Sequence, residues 1–91
     1  MKEYKQYITI KSICTLYKVS ENMIFSMADY DLIEIVITNK VPQLSIEEIA
    51  KLESYIRLYL DLGINIEGLA VIKDLLEERE ILKREIVRLS E

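Results

Sequence analysis

Ninety-one residues with 51% apolar and 31% charged side chains make a single soluble domain with a modest core and exclude a disordered chain. The chain carries a net charge of −4, no histidine and one cysteine, Cys14. That rules out an internal disulfide and leaves neither a base for a nucleophilic thiol nor the ligands of a zinc site. The only glycines are Gly63 and Gly68, so there is no glycine-rich phosphate loop, and neither an enzyme nor a cofactor is expected. The longest uncharged run, Asn22 to Ala28, falls far short of the roughly 20 residues a membrane-spanning helix needs. Tyr4, Lys5 and Gln6 interrupt any signal-like apolar region, and a cytoplasmic location is the expectation.

In chain order, Tyr7-Ile8-Thr9 reads as a short extended lead-in. Thr9 caps a helix over Ile10–Tyr17 that buries Ile10, Ile13, Cys14 and Tyr17. Lys18-Val19 is a turn, and Ser20 caps a second helix from Glu21 to about Asp31, with Met23, Ile24, Met27 and Tyr30 inward. Val19 and Ile24 fall at N′ and N4, the positions of a hydrophobic staple. Two short helices about a tight turn make a helix-turn-helix. Leu32 to Thr38 then switches to β-branched residues and predicts a strand. Asn39-Lys40 is its turn and Val41–Leu44 the return strand, placed at an edge because Pro42 has no N–H. The pair forms a wing.

Ser45-Ile46-Glu47-Glu48 is a capping-box pattern, with Glu48 at N3 and Leu44 and Ile49 as a further staple. The helix it opens runs to about Leu62, with Ile49, Leu52, Ile56, Tyr59 and Leu60 on its buried face. Gly63 suits a left-handed helix end, Asn65 caps the next helix, and Ile64 and Leu69 staple it. Gly68, in that helix's first turn, costs roughly 1 kcal/mol against alanine and so predicts a close approach by another group. Beyond it Ile72, Leu75, Arg79, Leu82, Ile86 and Leu89 step by three and four, a heptad seam that calls for a partner helix. Leu69 and Leu76 widen the stripe toward the domain body, and Glu80–Arg84 is an i,i+4 pair. Little chain remains to cover the C-terminal half, which favours a second copy. The expected architecture is one domain over 1–91: a winged helix-turn-helix body over 1–62, mostly α with a small β-hairpin, and a C-terminal dimerisation helix over 63–91.

Winged helix-turn-helix domains commonly bind DNA, but the charge here opposes it. Val19 to Asn39 contains no Lys or Arg, while Glu21, Asp29, Asp31 and Glu34 put four carboxylates on the second helix and the first wing strand. Duplex affinity comes largely from cations neutralising phosphates. Lys2, Lys5, Lys11 and Lys18 make the N-terminus basic, enough to graze a backbone but not to read bases. The carboxylates form either an ordinary solvated face or a surface that steers a basic protein partner.

The stretches Thr9-Ile10-Lys11 to Val19-Ser20, Tyr30-Asp31-Leu32-Ile33 and Leu44-Ser45-Ile46-Glu47-Glu48-Ile49 resemble the MerR-type winged-helix domain. Tyr55 to Gly68, with the corner Leu62-Gly63-Ile64-Asn65, looks more narrowly like the chaperone modulator family CbpM, as does the Glu/Arg-rich, Leu-rich run from Ile81 to Leu89. MerR-type DNA readers usually carry an Arg followed by aromatics where this chain has Phe25-Ser26-Met27, and Gly-Tyr-Arg at the wing where it has Val41-Pro42-Gln43. The resemblance to CbpM implies a non-enzymatic protein that binds the J-domain of a DnaJ/CbpA-type co-chaperone and restrains it. Glu21, Asp29, Asp31 and Glu34 are the expected contacts, with the corner residues Arg57, Asp61 and Asn65 second. The resemblance to MerR-type proteins implies a homodimer through the C-terminal helix. A DNA-binding regulator of MerR type, or a small dimeric adaptor for another basic protein, are the alternatives.

Overall fold

The computed structural model describes residues 6–90, so Lys2 and Lys5 of the basic N-terminal stretch lie outside the described residues. The order of elements is β1 (Tyr7–Thr9), α1 (Ile10–Tyr17), α2 (Glu21–Asp29), β2 (Val36–Thr38), β3 (Val41–Ser45), α3 (Ile46–Leu62) and α4 (Ile66–Ser90).

Local chemistry sets most boundaries. The Thr9 hydroxyl accepts the Ser12 N–H at 3.2 Å, and Lys18, left-handed at φ 56, ends α1. The Ser20 hydroxyl accepts the Met23 N–H at 3.1 Å. α2 stops at Asp29, two residues short of the expected end, because Asp31 turns left-handed at φ 59 and the Leu32 N–H returns to the Met27 carbonyl at 2.9 Å. That reversal points Leu32 and Ile33 into the core without any strand. β2 therefore begins only at Val36, and the strand expected from Leu32 is half loop.

β3 is the central strand of three, in the order β1-β3-β2 and antiparallel throughout. This corrects the edge position expected from Pro42. β1 pairs only with Gln43 to Ser45, and β2 with Val41 to Gln43. At Pro42 the strand has one neighbour, so the missing N–H is tolerated there. The wing turn at Asn39 and Lys40 has positive φ at both residues, 52 and 65, as a tight two-residue hairpin requires.

The capping box before α3 does not form. Ser45 has the extended backbone of a cap but makes no side-chain cap bond. It is also the last residue of β3, opposite Tyr7, and the Ile46 N–H is taken by the Gln6 carbonyl at 2.9 Å. The Glu48 carboxylate lies near Lys51 instead, at 3.6 Å. At the corner, Gly63 is left-handed at φ 65. The Asn65 side chain accepts the Gly68 N–H at 2.7 Å, capping α4. A Cβ on Gly68 would lie 3.0 Å from the Ile64 methyl and 3.1 Å from the Asn65 side-chain oxygen. The close approach is by the helix's own cap and staple.

Ile10 and Ile13 of α1, Ile24 and Met27 of α2, Leu32, Ile33, Leu44, Leu52 and Ile56 of α3, and Leu69 of α4 form one buried cluster. Cys14 and Tyr17 are only half-buried. Tyr30, Tyr59 and Leu60, expected inward, are exposed, while Tyr55 and Leu58 pack against the cluster in their place. Only the first turns of α4 meet the body, through Ile66, Leu69 and Ala70, and Leu76 is already exposed. Glu80 reaches Lys83 at 3.8 Å, not Arg84 as expected.

Candidate functional site

Two surfaces follow from this arrangement. The first is the face the helix-turn-helix and its wing present. The N-terminal end of α2 contributes Glu21 and Phe25, α1 contributes Lys11, and the wing contributes Lys40, Val41 and Pro42; they line a groove of about 510 Å³. Phe25 and Val41 are exposed there. The second surface lies behind α2, where the Asp31–Ile35 segment, the first turns of α3 and the body-side face of α4 enclose a groove of about 580 Å³.

The expected acidic quartet does not form one patch. All four side chains are exposed, but Glu21 lines the wing-side groove, whereas Asp31 and Glu34 line the groove behind α2. Asp29 lines neither of these two. The structure adds Glu48, Lys51, Lys73 and Glu77 to the second groove. No local pattern marks them: they come from the first turns of α3 and the third turn of α4 and onward, which pack on the same side of the Asp31–Ile35 segment. The corner residues have simpler roles. Asn65 caps α4, and Arg57 and Asp61 are exposed on α3.

Three polar ties hold the elements together. The Lys73 ammonium donates to the Asp31 backbone carbonyl, fixing α4 to the end of α2. The Tyr30 hydroxyl donates to Glu67 at 3.1 Å, between the same two elements. The Tyr17 hydroxyl donates to Glu53, joining α1 to α3. Each tyrosine is pushed above its ordinary pKa, chiefly by that hydrogen bond. The Cys14 thiol is pushed up by burial and then by Glu21, which keeps it protonated and unreactive. No helix among the described residues is long and apolar enough to cross a membrane.

The seam residues Leu75, Arg79, Leu82, Ile86 and Leu89 are all exposed, and Ile72 is half-buried. At about 100° per residue the centre of the seam lies about 130° round α4 from the face that carries Leu69 and Lys73. The helix thus has one face on the body and an apolar stripe turned away from it.

The helix pair, the three-stranded wing and the trailing helix agree with what the whole sequence matches, the MerR HTH family regulatory protein family, over residues 8–91. The chain belongs to this family. Within the MerR fold, α2 is the second helix of the helix-turn-helix, the one that enters a DNA groove in readers of this kind. Here its exposed charges are Glu21 and Asp29. No curated protein and no solved structure matches the chain.

Proposed function

We propose that this MerR-family protein is a CbpM-like, non-enzymatic modulator that binds the J-domain of a DnaJ/CbpA-type co-chaperone and restrains its activity. The observation that carries the reading is the charge of α2 and the loop after it: Glu21, Asp29, Asp31 and Glu34 are exposed, and no cation occurs from Val19 to Asn39. These carboxylates, spread over two faces, repel a phosphate backbone and attract a basic protein. Opposite charge speeds the encounter, and apolar contacts hold the complex.

One observation favours the second reading, a DNA-binding regulator. Lys11 and Lys40 lie together in the wing-side groove. Two cations beside Glu21 neutralise about two phosphates, which gives a salt slope near −2 and weak binding at physiological ionic strength. A pulldown with the purified J-domain of a DnaJ-type protein, run beside a duplex gel-shift at low and physiological salt, separates the two. Retention of the J-domain with no shift at physiological salt supports the modulator. A shift that survives physiological salt, with no J-domain retained, overturns it.

The exposed seam of α4 supports a homodimer. Paired antiparallel, it aligns Ile72 with Leu89 of a second copy, Leu75 with Ile86 and Arg79 with Leu82. Parallel pairing would set Arg79 against Arg79. The antiparallel arrangement keeps like charges apart and places every seam residue opposite another.

A further inference from the structure

The groove behind α2 has a built character that the acidic quartet alone lacks. Its floor is a narrow apolar strip: Ile35 is half-buried, and Leu32 and Ile33, 2% and 5% exposed, lie beneath it. Its rim holds Asp31, Glu34, Glu48 and Glu77 against Lys51 and Lys73. Both lysines are already engaged, Lys51 at 3.6 Å from Glu48 and Lys73 at 3.6 Å from Glu77. Among the described residues no cation lies within ion-pair distance of the Asp31 or Glu34 side chain. One oxygen of Glu48 is closed from solvent and has no hydrogen-bond partner. The groove therefore has unanswered negative charge around an apolar floor. Among the described residues no His, Cys, Asp or Glu cluster is tight enough to hold a metal ion. The spacing suits cations carried on separate side chains.

We infer that this groove is the docking surface for a basic, amphipathic helix of a partner protein. The helix rests an apolar residue on the half-buried Ile35 and sets its lysines or arginines against Glu34 and Asp31, with Glu77 at the rim beside them. The inference rests on the modulator reading for the identity of that partner, a J-domain, and goes beyond it in choosing the surface. The wing-side groove is the poorer fit, because Lys11 and Lys40 there face a single carboxylate, Glu21. The bond from Lys73 to the Asp31 carbonyl and the tie from Tyr30 to Glu67 hold the walls in place before binding, so little ordering is needed on association.

Titration calorimetry with a purified J-domain tests this on the full chain, using Glu34→Lys/Glu77→Lys and, as a control, Glu21→Lys. All three side chains are exposed, so the variants fold, as circular dichroism would check. The double variant is expected to bind at least tenfold more weakly and Glu21→Lys within about twofold of the parent. In a parallel NMR titration the shifted amides are expected at Asp31 to Ile35, Glu48, Lys73 and Glu77. A parent that binds while the double variant binds equally well overturns the groove and leaves the modulator reading standing. So does a shift map centred on Glu21, Phe25 and Lys40. A parent that ignores the J-domain overturns both.

Discussion

Gly63 and Lys40 make opposite use of the same backbone region, with φ of 65 at each. At Gly63 nothing lies within 4 Å of where a Cβ would be, so Gly63→Ala carries only the conformational cost, about 1–2 kcal/mol. Lys40 bears that kind of cost already, and Lys40→Gly should raise stability by up to a similar amount. Urea melts of the two variants should move in opposite directions. Tyr17 sets a pH dependence. Its hydrogen bond to Glu53 and its partial burial hold its folded pKa above the ordinary tyrosine value. The folded chain therefore keeps this proton to higher pH than the unfolded one. The stabilisation is complete below about pH 10 and is lost as pH rises through the raised folded value. Parent protein should lose stability more steeply than Tyr17→Phe as pH rises above about 10, as paired denaturant melts would show.

The elements divide by whether their ends were fixed locally. Thr9, Ser20, Gly63 and Asn65 occupy the cap positions their residue types suit, and α1, α3 and α4 follow the sequence pattern closely. What could not be read locally depends on distant pairing. β1 joins β3 across more than thirty residues, which makes the Pro42 strand central and draws the Ile46 N–H to Gln6. Leu32 and Ile33 look like strand residues because a buried loop and a buried strand want the same side chains. The acidic quartet was visible, but not its division between two grooves, since Glu48, Lys51, Lys73 and Glu77 join the second only through the packing of α3 and α4. Caps give the test at this scale. Asn65→Ala should cost about 1 kcal/mol by removing the bond to Gly68, whereas Ser45→Ala, with no side-chain cap bond to lose, should cost a few tenths at most. Thermal melts of the two decide it.

The whole molecule is longer than its chain length requires. A compact domain of this size has a radius of gyration near 12 Å, and this one measures 15.7 Å. The excess is α4, whose C-terminal half stands off the body with Leu82 58% and Leu89 78% exposed. An apolar stripe of that extent supports the proposed association with a second copy. In a Cys14→Ser background, oxidation should join Leu75→Cys/Ile86→Cys chains into covalent dimers and leave Leu75→Cys alone unlinked; dimers formed by Leu75→Cys alone would mean parallel pairing. Leu82→Asp should give a folded monomer by light scattering, because the side chain has no core contacts to lose. Leu69→Ala, which opens the buried anchor of the same helix, should instead cost about 2–5 kcal/mol.

If α4, with one face on the body, pairs with a second copy through its exposed seam as proposed, there is a consequence for valency. Self-pairing would leave each chain's groove unobstructed, so saturation should come at one J-domain per chain. A co-chaperone presenting two tethered J-domains would then be held by avidity, far more tightly than either site holds one, provided its tether can span the pair.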